Sequence, residues 1–118
     1  MKKILIVEDD PTSCELYKAI FKNDFIYNIV NDGKTAIEYF KKNKYGVILM
    51  DIRIPIIDGI TATKKIRKIE LEQNLKKTPI FAITASNKSD SSIIFDEYIL
   101  KPLNCKDLIK KINKITIK

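Results

Sequence analysis

Short apolar runs alternate with amphipathic stretches along the whole 118-residue chain. The runs at residues 2–7, 25–30, 47–50, 79–83 and 97–100 are too short for buried helices and rich in Ile, Val and Phe, so each predicts a β-strand. Between and after them, apolar residues recur at spacings of three and four. Cys14, Tyr17 and Phe21, flanked by Leu16 and Ile20, form one such set; Ala36, Ile37 and Phe40 a second; Ala62, Thr63, Ile66 and Ile69 a third; Cys105, Leu108, Ile109, Ile112 and Ile115 the last. Each set predicts a helix with one buried face. Asp10-Pro11 supplies an N-cap followed by a proline at the first helical position, Asn31-Asp32-Gly33 turns the chain into the second helix, and Asn104 caps the last. Strands that alternate with helices through short connections dictate a parallel sheet covered on both faces, with right-handed crossovers. The length suits one domain, residues 1–118.

In a parallel sheet every carboxyl end lies on one rim. Taken alone, Asp51 at the end of the Val47–Met50 run reads as an Asp opening a turn toward Pro55 and Asp58-Gly59. However, the first strand runs directly into Glu8-Asp9, the fourth ends on Thr84 and the fifth on Lys101. Three carboxylates, a hydroxyl and an ammonium therefore converge where open α/β sheets bind ligands. Clustered carboxylates either raise their pKa values or hold a cation, and magnesium suits such a set because it takes one or two carboxylates and completes its octahedron with water and phosphate oxygens. Lys101 suits a phosphoryl oxygen, or a plain salt bridge to Asp51, while the Thr84 hydroxyl can donate to another oxygen. A carboxylate between a metal and a lysine is placed for nucleophilic phosphoryl capture, giving an acyl phosphate.

Composition narrows the alternatives. The three glycines form neither GxGxxG nor a P-loop. With no histidine, and with Cys14 and Cys105 far apart, a common zinc set is missing, and the thiols read as structural and reduced. Only four apolar residues follow Met1-Lys2-Lys3, too few for a signal-peptide core or a membrane span, so a cytoplasmic chain without membrane contact is expected. The net charge of +7 raises nucleic acid as a partner. Its lysines are nevertheless spread over predicted helix faces (Lys41, Lys42 and Lys44; Lys64, Lys65 and Lys68; Lys76 and Lys77; Lys110, Lys111 and Lys114), which favours solvated charge over direct nucleic-acid binding.

The ordered set Glu8-Asp9, Met50-Asp51, Pro55 with Asp58-Gly59, Thr84-Ala85, and Tyr98 followed by Lys101-Pro102 resembles the receiver domain of two-component response regulators, over essentially the whole chain. That resemblance implies a (βα)5 doubly wound, flavodoxin-like sheet of order 2-1-3-4-5. It implies that Asp51 accepts a phosphoryl group from a histidine on a sensor histidine kinase or a histidine phosphotransfer protein. Asp9, Asp51 and the backbone carbonyl of Arg53 would contact Mg2+, with Glu8 acting through metal-bound water. Lys101, aimed by a cis bond before Pro102, would pair with the aspartyl phosphate, and Thr84 with Tyr98 would form the switch pair. On this reading the chain is no conventional enzyme: it promotes its own phosphotransfer and dephosphorylation, and works as a monomer or weak dimer on a downstream protein.

Two departures qualify the resemblance. Thr84 and Tyr98 stand 14 positions apart, about five fewer than in relatives or roughly one and a half helical turns. A shortened or irregular fourth helix is therefore expected. Arg53 and Ser86 stand at positions that flank the phosphate in relatives, which predicts an altered phosphoryl lifetime. The competing readings are a phosphorylation-independent module of the same fold, an aspartyl-phosphate hydrolase, which normally carries a second carboxylate where Arg53 stands, and a nucleic-acid-binding protein. The helix from Ile60-Thr61-Ala62-Thr63-Lys64-Lys65-Ile66-Arg67 resembles receivers attached to hybrid sensor kinases, whereas a start at Met1 suits a free-standing regulator.

Overall fold

A computed structural model describes residues 3–85 and 94–116. In chain order the elements are β1 (Lys3–Val7), α1 (Pro11–Phe21), β2 (Ile26–Val30), α2 (Gly33–Lys42), β3 (Val47–Asp51), α3 (Gly59–Glu72), β4 (Ile80–Thr84), β5 (Glu97–Leu100) and α4 (Cys105–Thr116). All neighbouring strands pair in parallel, and the sheet order is β2-β1-β3-β4-β5. The expected shortened helix after β4, and Ser86 with it, lie outside the described residues.

Each strand sends alternate side chains to opposite faces, so one sheet feeds two cores. On one face Leu5, Val7, Ile48, Met50, Ile80 and Ala82 pack with Ala36 and Phe40 of α2 and Ala62 and Ile66 of α3. On the other, Ile4, Ile6, Val47, Leu49, Phe81 and Ile83 pack with Tyr17 and Phe21 of α1 and Leu108 and Ile112 of α4. This double coverage is why β1, β3 and β4 are unbroken apolar runs rather than alternating ones. β3 lies in the middle and is buried along its whole length, including Asp51.

Four helices open on side-chain caps. Asp10 accepts from Ser13 N at 2.9 Å, Asp32 from Thr35 N at 2.7 Å, Asp58 from Thr61 N at 2.8 Å and Asn104 from Asp107 N at 3.0 Å. Each such cap contributes on the order of 1 kcal/mol. Helix α3 ends with Asn74 at φ 55°, Leu75 N bonded to Glu70 O and Asn74 N to Leu71 O, the paired bonds of a Schellman motif. One residue of the expected apolar face departs from it: Cys105 is exposed, because it is the first residue of α4 and the sheet covers the helix only from Leu108 onward.

Beyond its cap, α3 is tied to the segment that enters β5. The Arg67 guanidinium bonds the Ile94 carbonyl at 3.0 and 3.1 Å, the Thr78 carbonyl at 2.7 Å, Glu70 at 2.9 Å and Asp96 at 3.0 Å. Glu70 and Asp96 in turn accept from the Thr78 and Ile80 backbone amides at 2.7 and 2.8 Å. The planar fork of arginine is what allows one side chain to serve so many acceptors.

Candidate functional site

Four strands deliver the site. β1 is prolonged by one ladder bond, Glu8 N to Val30 O at 2.9 Å, which carries Glu8 and Asp9 to the rim. β3 delivers Asp51, β4 delivers Thr84, and Lys101 follows β5 with its own N–H on the Thr84 carbonyl at 2.8 Å. The Lys101–Pro102 bond is cis, as the resemblance implied. Together these residues line a cleft of about 350 Å³ that Arg53 also borders.

Within the cleft Asp51 is the most constrained group. One carboxylate oxygen accepts from Arg53 N at 3.0 Å and the other from Lys101 Nζ at 3.2 Å. Helix α3 can start directly behind it because residue 59 is glycine: a Cβ there would collide with the Asp51 carbonyl and crowd the Ile52 Cα, and Gly59 N instead donates to Ile52 O at 2.9 Å. The connecting loop holds strain. Pro55 O accepts from Ile57 N at 2.9 Å across Ile56, whose φ is 70°, an unfavourable conformation for a β-branched residue.

One carboxylate oxygen from each of Glu8, Asp9 and Asp51 falls within 4.8 Å of the others. Glu8 is only 1% exposed and Asp51 5%, whereas Asp9 is open to solvent. Burial, and then the neighbouring Asp51 carboxylate, push the Glu8 carboxyl up to about 7 against the opposing pull of the Asp10 amide and Lys101. For Lys101 burial alone would favour the neutral amine, but the Asp51 and Glu8 carboxylates outweigh it and hold the pKa above the usual lysine value. Glu8 Oε2 accepts from Asp10 N at 3.1 Å. Its Oε1 lies 3.4 Å from Lys101 Nζ yet has no hydrogen-bond partner among the described residues. A buried, orphaned carboxylate oxygen beside two further carboxylates fits a small hard cation such as Mg2+, and all the donors are oxygens.

Thus Glu8, Asp9, Asp51, Thr84, Lys101 and the Arg53 backbone, singled out from strand ends and motif, meet in one place. Tyr98 stands back from them. It lies half-buried in β5, one register step behind Ile83 and Ile99, with its ring edge-on to Phe95 at 5.5 Å. Two residues with no catalytic signature also reach the site. Asn31 Nδ2 donates to the Glu8 carbonyl at 2.9 Å, and the Cys14 thiol donates to the same oxygen at 3.4 Å. Asn31 reads in sequence only as part of a turn, because nothing local reveals that its amide reaches back 23 positions.

The sequence matches the response regulator receiver domain family over residues 4–113. It is 37% identical over 123 aligned residues to hybrid signal transduction histidine kinase I of Dictyostelium discoideum, an alignment that covers 95% of this chain and 7% of that protein. This chain therefore spans only a small part of that curated relative. Among solved structures, the response regulator TrrA of Thermotoga maritima, in complex with Mg(2+)-BeF, shares 31% identity and a TM-score of 0.85, covering 98% of this chain and 99% of that one. A chain of the Saccharomyces cerevisiae co-crystal of the histidine phosphotransfer signaling protein Ypd1 with the receiver domain of its downstream response regulator Ssk1 gives 28% identity and a TM-score of 0.88, covering 96% of this chain and 87% of that one. The fold, the cleft and these matches converge: the chain belongs to the response regulator receiver domain family of two-component systems.

Proposed function

We propose that this chain is a phospho-accepting switch, with Asp51 as acceptor and a phosphohistidine of a sensor histidine kinase or histidine phosphotransfer protein as donor. The observation that carries this reading is the pairing of a buried Asp51 with Lys101 at 3.2 Å and with Arg53 N at 3.0 Å, next to Glu8 and Asp9. A carboxylate oxygen of Asp51 attacks the phosphorus, the P–N bond to the donor histidine breaks, and its electron pair leaves on the imidazole. The acceptor is an ionised carboxylate, so no general base is required. Lys101 exchanges its contact with Asp51 for one with a phosphoryl oxygen, so its charge stays in place while the negative charge moves outward. Asp9, Asp51 and the Arg53 carbonyl, with Glu8 acting through metal-bound water, would hold Mg2+, which when bound would supply charge neutralisation for the other phosphoryl oxygens. Thr84 lies on the same rim and donates its hydroxyl to the phosphoryl group, and Tyr98 follows its movement, shifting a two-state population toward the form a downstream protein reads.

On this reading the chain uses up its own side chain and is reset by hydrolysis of the acyl phosphate, so it is not a turnover enzyme. Arg53 supports that assignment, since it stands two residues after Asp51 with no second carboxylate to drive a hydrolase cycle. No helix among the described residues is long and apolar enough to cross a membrane, and a cytoplasmic site of action follows from the proposed donors. Intact-mass spectrometry after incubation with a small phosphodonor and Mg2+ tests the central claim. One phosphoryl adduct on the wild type and none on Asp51→Asn is expected; an unmodified wild type, or an adduct that survives the substitution, overturns it.

A further inference from the structure

β1 and β2 run in parallel register up to Val7 and Val30, and the bond from Glu8 N to Val30 O extends that ladder by one step. Past Val30 the second strand turns into α2, and the Asn31 side chain takes the place of the next ladder donor. Its Nδ2 meets the Glu8 carbonyl at 2.9 Å. The Cys14 thiol approaches the same oxygen from α1 at 3.4 Å and lies 4.0 Å from Asn31 Nδ2, so the carbonyl is held from two elements at once. That carbonyl belongs to the Glu8–Asp9 peptide. Its orientation sets the directions in which both carboxylates leave the backbone, and both belong to the group that closes to within 4.8 Å around Asp51.

We infer that Asn31 is a positioning residue of the cation site, whose amide holds the Glu8–Asp9 peptide in the orientation from which Glu8 and Asp9 converge with Asp51. The inference rests on the magnesium-dependent reading above. A hydrogen-bond donor is required because the group it meets is a carbonyl, which can only accept. The thiol alone is a weak donor and cannot substitute fully.

A nearly isosteric substitution separates positioning from simple charge. Asn31→Asp removes the donor yet adds a negative charge near the cleft. If charge alone mattered, Mg2+ would bind more tightly; if the amide positions the peptide, it binds more weakly. Asn31→Leu removes the donor without adding charge. The test is an Mg2+ titration of the unphosphorylated chain followed by 15N–1H NMR, with wild type, Asn31→Leu and Asn31→Asp compared. The expected result is about a tenfold weaker affinity in Asn31→Leu, in line with other residues that orient metal ligands, and weaker binding in Asn31→Asp as well. In phosphorylation assays the defect should fall more on the Mg2+ concentration for half-maximal acceptance than on the rate at saturation. Wild-type affinity in both variants, or tighter binding in Asn31→Asp, overturns the inference. Should Asn31→Leu not fold, the sign of the Asn31→Asp change decides. A wild type that neither binds Mg2+ nor takes a phosphoryl group removes the functional reading itself, an outcome separate from any difference between the variants.

Discussion

Among the described residues, Ile56 is the one whose backbone fits its side chain least. At φ 70° it occupies a region that costs an ordinary L-residue roughly 1–2 kcal/mol, and the turn leaves its side chain 75% exposed, with little packing in return. Ile56→Gly removes that strain but gives the unfolded chain more freedom, which offsets roughly half of the gain. A net stabilisation of about 0.5–1 kcal/mol is expected, read as a rise of a few degrees in thermal midpoint. An unchanged or lower midpoint would count against strain in this loop. At this scale the sequence was informative wherever chemistry and strand position coincided. Asp51 and Lys101 stood out because charged groups end apolar runs. Asn31 and Ile56 did not: a long-range amide–carbonyl bond and a positive φ leave no mark in residue type. Cys105 misled because helical spacing carries no information on where the sheet's cover begins.

Among the described elements, α3 is tied to its surroundings by a side-chain network. Its Arg67 side chain is 13% exposed and that of Glu70 5%, and together they bind two backbone carbonyls, a backbone amide and Asp96. Removing one member of such a buried set leaves the others without partners, and breaking a buried pair in this way costs about 3–5 kcal/mol. Arg67→Ala is expected to lose about 3 kcal/mol in urea unfolding, with Asp51 and its neighbours untouched in sequence. A loss near that of an ordinary surface ion pair, below about 1 kcal/mol, would mean that the network is not a structural tie. The elements themselves were legible, because periodicities of two and 3.6 and the capping residues Asp10 and Asn104 are local signals. The tie was not. Arg67 falls between Ile66 and Lys68 as one more cation on an amphipathic helix, and only the approach of Thr78, Ile94 and Asp96 distinguishes it.

For the molecule as a whole, the acidic cluster proposed to hold a cation joins the ends of separate strands, so a cation bound there should stabilise the entire fold. An ion that binds only the folded chain adds about 2.7 kcal/mol at a concentration one hundred times its dissociation constant. The thermal midpoint of the unphosphorylated chain is therefore expected to rise with Mg2+ and to fall back when EDTA is added, with the effect lost in Asp51→Ala. A midpoint indifferent to Mg2+ would separate the acidic cluster from metal binding. The architecture was legible at this scale because strand and helix alternate without exception on either side of residues 85–96. The lateral order of the strands was not contained in periodicity; it came from resemblance, and the pairing of β1 with both β2 and β3 bears it out. The chain's charge of +7 says nothing of this architecture, since its lysines lie largely on exposed helix surfaces.

The cleft draws on residues 8, 51, 84 and 101, which stand at the ends of four different strands. During synthesis the amino-terminal half of the chain emerges with the Asp51 carboxylate already made, but without the lysine that faces it. Until β5 has left the ribosome and taken its place beside β4, Asp51 has no ammonium partner and no completed rim. On the function proposed above, a half-made copy is therefore expected to be silent: it would neither draw phosphoryl groups from the donor pool nor compete with finished molecules for them.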